Sequence, residues 1–146
     1  MKVFDIICTA AGLVGGAIAT AFGGWSHSLT TLLVTMAADY ITGLLVAGVF
    51  KKSPKTETGA LESKAGWKGL IRKGVTLLVV LVACRLDIEH GTTYIRDAVI
   101  IAFIVNEGVS LLENAGLMGV PIPPAILNAI DMLKKKSIIN KEEKNS

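Results

Sequence analysis

The sequence predicts an all-α integral membrane bundle of three to four transmembrane helices with a C-terminal amphipathic helix. Three observations lead there. A 22-residue run at 29–50, LTTLLVTMAADYITGLLVAGVF, carries one charge, Asp39. Mean hydropathy is +0.57, with 51% hydrophobic and only 5% aromatic residues. The basic residues collect on one side of the apolar runs. As a helix, the 29–50 run rises about 33 Å, enough for a hydrocarbon core of roughly 30 Å.

The first apolar run, 6–22, reads IICTAAGLVGGAIATAF. A signal peptide with Ala19-Thr20-Ala21 as its cleavage site is the alternative. Asp5 cancels the charge of Lys2, which favours a retained span. Gly12 and Gly16 form a GxxxG, continued at the same spacing by Thr20. Such a face lets two backbones approach closely, within the chain or between subunits. Gly23 to Ser28 make a turn that holds an interfacial Trp25.

In the 29–50 span, Asp39, Gly43 and Ala47 lie four residues apart on one face, with Thr42 beside them. Ten Leu, Ile, Val or Phe residues contribute roughly −3 to −6 kcal/mol to insertion, against about +3 for a central Asp. An acid at that depth faces protein or water rather than lipid.

The 51–73 segment holds Lys51, Lys52, Lys55, Lys64, Lys68, Arg72 and Lys73 against Glu57 and Glu62, and Ser53-Pro54 stops the helix. It reads as a cytoplasmic loop running into an interfacial segment near Trp67. The uncharged core of the third span, GVTLLVVLVAC, has only 11 residues. The span is therefore placed at 69–88, with Lys68, Arg72 and Lys73 snorkelling to one interface and Arg85 to the other. A buried helix of soluble type is the competing reading.

A polar turn, 87–97, leads to the fourth span, 98–117. There Asn106, Ser110, Glu113 and Leu117 mark one ridge, with Glu107 and Asn114 alongside. Pro121, Pro123 and Pro124 end it. Residues 125–136 read as a surface-lying amphipathic helix with Ile126, Ile130 and Leu133 on one face, and 137–146 as a charged tail. The chain thus divides into a transmembrane domain, 1–136, and that tail.

Four spans place thirteen of the fifteen basic residues on one side and leave Arg85 and Arg96 on the other. The positive-inside rule makes both termini cytoplasmic, in a multi-pass plasma-membrane protein. Asp39 and Glu107 then each lie about 15 Å from the outer ends of their spans. Two like charges at one level repel and desolvation pushes the same way, so at least one of them is expected to hold a proton while the helices are packed, and both to ionise when the site hydrates. Cys8 and Cys84 lie near opposite faces and are not expected to pair. His27 and His90 fall in polar turns as solvated residues.

Taken in order, DYITG at 39–43, SKAGWKGLIRK at 63–73, NEGVSLLEN at 106–114 and GVPIP at 119–123 resemble the phage-lysis and toxin-secretion holin family. The resemblance runs from about residue 35 to 135. It implies a small phage-encoded protein that gathers in the bacterial plasma membrane and oligomerises into lesions. An endolysin, or in some relatives a toxin, leaves through them, without stable contact. Many members are drawn with three spans. Family and sequence agree in offering no enzyme chemistry: there is no Ser/His/Asp set, nucleophile elbow or phosphate loop. No catalytic residue, cofactor, metal ligand or nucleic-acid partner is assigned. The polar face (Asp39, Thr42, Gly43, Ala47) and the ridge (Asn106, Glu107, Ser110, Glu113, Asn114) are the candidates for pore lining and oligomer packing. Gly12 and Gly16 are candidates for close helix packing, and Lys51, Lys52, Arg72 and Lys73 for the cytoplasmic interface. A small transporter or ion channel using the intramembrane carboxylates is the rival function, and a membrane scaffold a third.

Overall fold

A computed structural model describes residues 2–132 and 135 of the chain. The described residues contain no strand. Four long helices follow in order: α1 (Val3–Ala21), α2 (His27–Gly48), α3 (Ser63–His90) and α4 (Tyr94–Leu117). A short helix, α5, covers 124–132. Two of these, α1 and α2, are long and apolar enough to cross a membrane.

Each boundary has a local cause. Ser26 caps α2, its hydroxyl accepting from the Leu29 amide at 3.1 Å. α2 ends at Gly48, where the Val49 and Phe50 amides both turn back to the Leu45 carbonyl and Lys51 takes a positive φ of 51°. α3 starts six residues before the expected span, because nothing between Ser63 and Lys68 breaks a helix. Gly91, at φ 65°, stops it in the left-handed conformation. His27 and His90 are the first residue of α2 and the last of α3, rather than turn residues.

α2, α3 and α4 form a three-helix bundle in which α4 packs against both others and α2 meets α3 only sparsely. Near the α3–α4 turn, Leu29, Leu32 and Met36 of α2 interlock with Val80 and Cys84 of α3 and Ile100 of α4. Phe22, Leu77 and Phe103 pack around that layer.

α1 stands apart, with no buried residue. A Cβ built at Gly12 or Gly16 would meet no atom within 4 Å, so the close packing expected at this face does not occur among the described residues. Both cysteines are free, Cys8 exposed and Cys84 buried. In α5, Ile130 is buried but Ile126 is exposed, so the expected face is only partly covered. Leu133, Lys134, Lys136 and the 137–146 tail lie outside the described residues.

Candidate functional site: an ion cluster midway along the bundle

Beyond the apolar layer, toward the 49–62 loop, the interior becomes polar. Lys73 Nζ donates to Asp39 Oδ2 at 2.8 Å and to Glu107 Oε2 at 2.5 Å, joining α3 to both neighbouring helices. The side chains of both acids are only 8% exposed and that of Lys73 only 15%. Isolated, each charge would face a severe desolvation penalty; a cation between two anions relieves all three.

Sequence position explains why they meet. Asp39 is nine residues from the loop end of α2, Lys73 ten from the start of α3 and Glu107 ten from the end of α4. At 1.5 Å per residue all three sit about 15 Å from that end of the bundle. One expectation is corrected here. Lys73 does not snorkel to an interface: its amino group is drawn inward between the carboxylates, where it offsets one of their two charges.

Asn114 completes the cluster. Its Nδ2 lies 3.0 Å from Asp39 Oδ1, 3.2 Å from the Asp39 carbonyl and 3.0 Å from Thr42 Oγ1. The Thr42 hydroxyl donates to the Ala38 carbonyl at 2.9 Å, which leaves its lone pairs for Asn114. Gly43 lies beside this contact, and a Cβ there would stand 3.8 Å from Asn114 Nδ2. Among the described residues no buried side-chain nitrogen or oxygen lacks a partner. That completeness is what a low-dielectric setting demands.

The cluster forms the floor of a cleft of about 530 Å³ between α2, α3, α4 and the 53–62 segment. Ala47 is buried beside it, and Ser110 lines it. The inward stripe of α4 is Glu107, Ser110 and Asn114. Asn106 is exposed at the edge, and Glu113 faces a separate groove shared with Leu117, Leu127 and Ile130. The ridge drawn through Asn106, Ser110, Glu113 and Leu117 is thus rotated by about one residue. Lys51 and Lys52 are exposed at the loop end, apart from the cluster, whereas Arg72, exposed one residue before Lys73, lines the cleft.

A third buried acid, Asp87, went unnoticed in the sequence. Its Oδ1 accepts from the Thr92 hydroxyl at 2.6 Å and the Ile95 amide at 3.3 Å, and its Oδ2 from the Arg96 amide at 2.7 Å. The last turn of α3 therefore caps the first turn of α4, where free amides and the helix dipole favour an anion. Its one sequence signal is an acid a few residues ahead of a helix start, with Gly91 and Thr92 between.

Chemically the site is an electrostatic clamp. It can hold three helices in register, or release them if water replaces the internal partners.

The chain is 37% identical over 138 residues to an uncharacterised protein of Clostridium perfringens, covering 92% of this chain and 96% of that one. A Listeria monocytogenes protein, also uncharacterised, is 37% identical over 119 residues, covering 80% and 78%. A protein of Bacillus phage phi105 named "Probable holin" is 34% identical over 107 residues, 73% of each chain. No solved structure matches. The sequence profile of the bacteriophage holin family matches residues 16–135, which takes in α2 to α4 whole and all four members of the ion cluster, and the chain belongs to that family.

Proposed function

We propose that the chain is a holin: it oligomerises in the bacterial plasma membrane and permeabilises it, so that an endolysin reaches the cell wall or a toxin leaves the cell. The family relationship over 16–135 carries this reading, and the ion cluster supplies a mechanism. In this proposal α3 and α4 cross the membrane with α1 and α2, both termini are cytoplasmic, and the 49–62 loop faces the cytoplasm.

In the packed subunit Lys73, Asp39, Glu107 and Asn114 satisfy one another inside the bundle. In the lesion the same groups exchange those partners for water and line the hole, with Thr42, Gly43 and Ser110 on the same surface. Half-opened arrangements satisfy neither set, so the change is abrupt once enough subunits gather. The rival reading, a cation-coupled transporter, fits less well, because Lys73 Nζ already holds the point between the two carboxylates.

The test is induction of the gene with and without a muralytic enzyme, following viability and turbidity. Viability should collapse in both cultures and turbidity clear only with the enzyme. Asp39→Leu and Glu107→Leu should alter the time of collapse; an unchanged schedule removes these residues from the mechanism. Selective ion flux without loss of viability would favour the transporter.

A further inference from the structure

α3 is held unevenly along its length. Its buried residues, Val80, Ala83, Cys84 and Asp87, all fall toward the α3–α4 turn. There Val80 and Cys84 join the apolar layer, and Asp87 caps the start of α4. Across 63–79, more than half of this 28-residue helix, no residue is buried. α2 and α4, by contrast, share the most extensive interface of the bundle. Asn114 adds its bonds to Asp39 and Thr42 there.

Two ties join the 63–79 arm to α2. One is the Lys73 bridge to Asp39. The other lies one residue further along α2 and one turn back along α3, where Tyr40 covers Gly66 and Gly69. A Cβ built at Gly66 would stand 3.6 Å from the Tyr40 hydroxyl oxygen, and one at Gly69 would stand 3.7 Å from Tyr40 Cε2. Gly69 and Lys73 are four residues apart, so both ties use one face of α3. The Tyr40 hydroxyl reaches the Gly66 carbonyl only at 3.4 Å, beyond the usual O–H···O range. The ring therefore rests on the glycines by dispersion contact, with no side chain on them to interlock with it. This is a loose tie, and it sits in the wall of the cleft over the ion cluster.

We propose that residues 63–79 form a swinging arm: the bundle opens by parting α3 from α2 about the 80–87 anchor, while α4 stays on α2. Tyr40 is the positioning residue that, with Lys73, keeps the arm shut. Parting this seam uncovers Asp39, Glu107 and Asn114 together on the α2–α4 pair and carries Lys73 away from them. Water then replaces the broken ion pairs, and the apolar layer at Val80 stays closed. The proposal deepens the lesion reading given above, on which it rests for the open state, by naming the helices that separate. A swing of about 15–20° would carry Lys64, about 24 Å from Val80, by roughly 6–8 Å.

The experiment measures spin-label distances by pulsed electron resonance. It uses the full chain with Cys8→Ser and Cys84→Ala, diluted with unlabelled protein in dye-loaded vesicles of phosphatidylethanolamine and phosphatidylglycerol. Three pairs of exposed positions carry the labels. Leu45→Cys with Lys64→Cys spans α2 and the arm tip, Leu45→Cys with Val105→Cys spans α2 and α4, and Leu86→Cys with Ile101→Cys spans the anchored end. Tyr40→Ala should add to the 45–64 distance a population roughly 6–8 Å longer and leave the other two unchanged. Lys73→Met should do the same through the other tie, and Tyr40→Leu, a milder change, should give a smaller share of that population. Tyr94→Ala removes the same side chain from an exposed site on α4 and should shift no pair. The arm is overturned if 45–64 stays fixed in both Tyr40→Ala and Lys73→Met, if 45–105 lengthens with it, or if Tyr94→Ala has an equal effect. Dye release from the same vesicles keeps the two readings apart. Release by the wild type with 45–64 unmoved sinks the arm alone, whereas a moving arm without release at any protein density sinks the lesion.

Discussion

Lys73 Nζ stands 2.8 Å from Asp39 Oδ2 and ties together α2 and α3, two helices that otherwise touch sparsely. The same nitrogen reaches Glu107 on α4, so one side chain fixes the level of three helices. Apolar packing alone would let such helices slide along one another, because one Leu or Val face resembles another. A charge triplet permits one register.

Lys73→Met should be far more damaging than loss of the whole triplet. Removing the cation strands two buried carboxylates and should cost roughly 3 kcal/mol, whereas Asp39→Asn with Lys73→Met and Glu107→Gln leaves no buried charge and should stay much closer to wild type. Unfolding of the purified chain in mixed micelles checks the order. A single variant as stable as the triple would mean that the cluster is hydrated.

Asn114→Ala tests the polar half of the site without touching a charge. One amide nitrogen serves three acceptors on α2, including the Asp39 backbone carbonyl. Interhelical hydrogen bonds in membranes average about 0.6 kcal/mol and reach about 1.7, so a loss of about 1–2 kcal/mol is expected. The same unfolding assay with Asn114→Ala on a Thr42→Val background should show non-additivity, because the two residues share a bond.

The helices were legible in the sequence, and their pairing was not. Uninterrupted apolar runs placed α1, α2 and α4 within a few residues, since length and hydropathy depend on the segment alone. The start of α3 was misplaced because the charged stretch Ser63 to Lys68 was read as interface. That moved Lys73 from ten residues along its helix to four, and a buried partner became a surface one. Asp39 and Glu107 could be recognised as residues in need of a partner; which cation answered depended on counting from the correct end. Asp87 was missed because its role is to the next helix, and no periodicity within α3 reports it.

Asp87→Ala should loosen the start of α4 while sparing the ion cluster. The substitution removes acceptors for two backbone amides and a hydroxyl, and should cost about 1–2 kcal/mol, as helix caps do. Hydrogen exchange resolves this locally: the Ile95 and Arg96 amides should lose roughly ten-fold or more protection. Equal loss at Asn106 and Glu107 would show a global effect instead.

Deleting 2–21 removes a helix with no buried residue, so the α2–α4 bundle should keep its unfolding midpoint within about 0.5 kcal/mol. In the proposed topology only the N-terminus changes sides, because no loop between α2 and α4 depends on α1. Accessibility of a Glu57→Cys label from the cytoplasm, in a Cys8-free background, should be the same with and without α1. A label that moves to the other face would make α1 the element that sets orientation.

Gly59→Ala is a backbone test of the segment that roofs the cleft. Gly59 has a φ of +74°, and a Cβ there would fall 2.4 Å from the Lys51 carbonyl oxygen. That atom belongs to the backbone and cannot swing aside, so the loop must open, at a cost of roughly 1–3 kcal/mol confined to the loop. The Ser53 amide, which donates to the Gly59 carbonyl, should then exchange faster. Because Lys73, Asp39 and Glu107 lie about 15 Å further along their helices, bundle stability should hardly change. Hydrogen exchange across 49–62, set beside the unfolding midpoint, separates the two effects. A midpoint that fell with the loop would show that the roof and the ion cluster open as one unit.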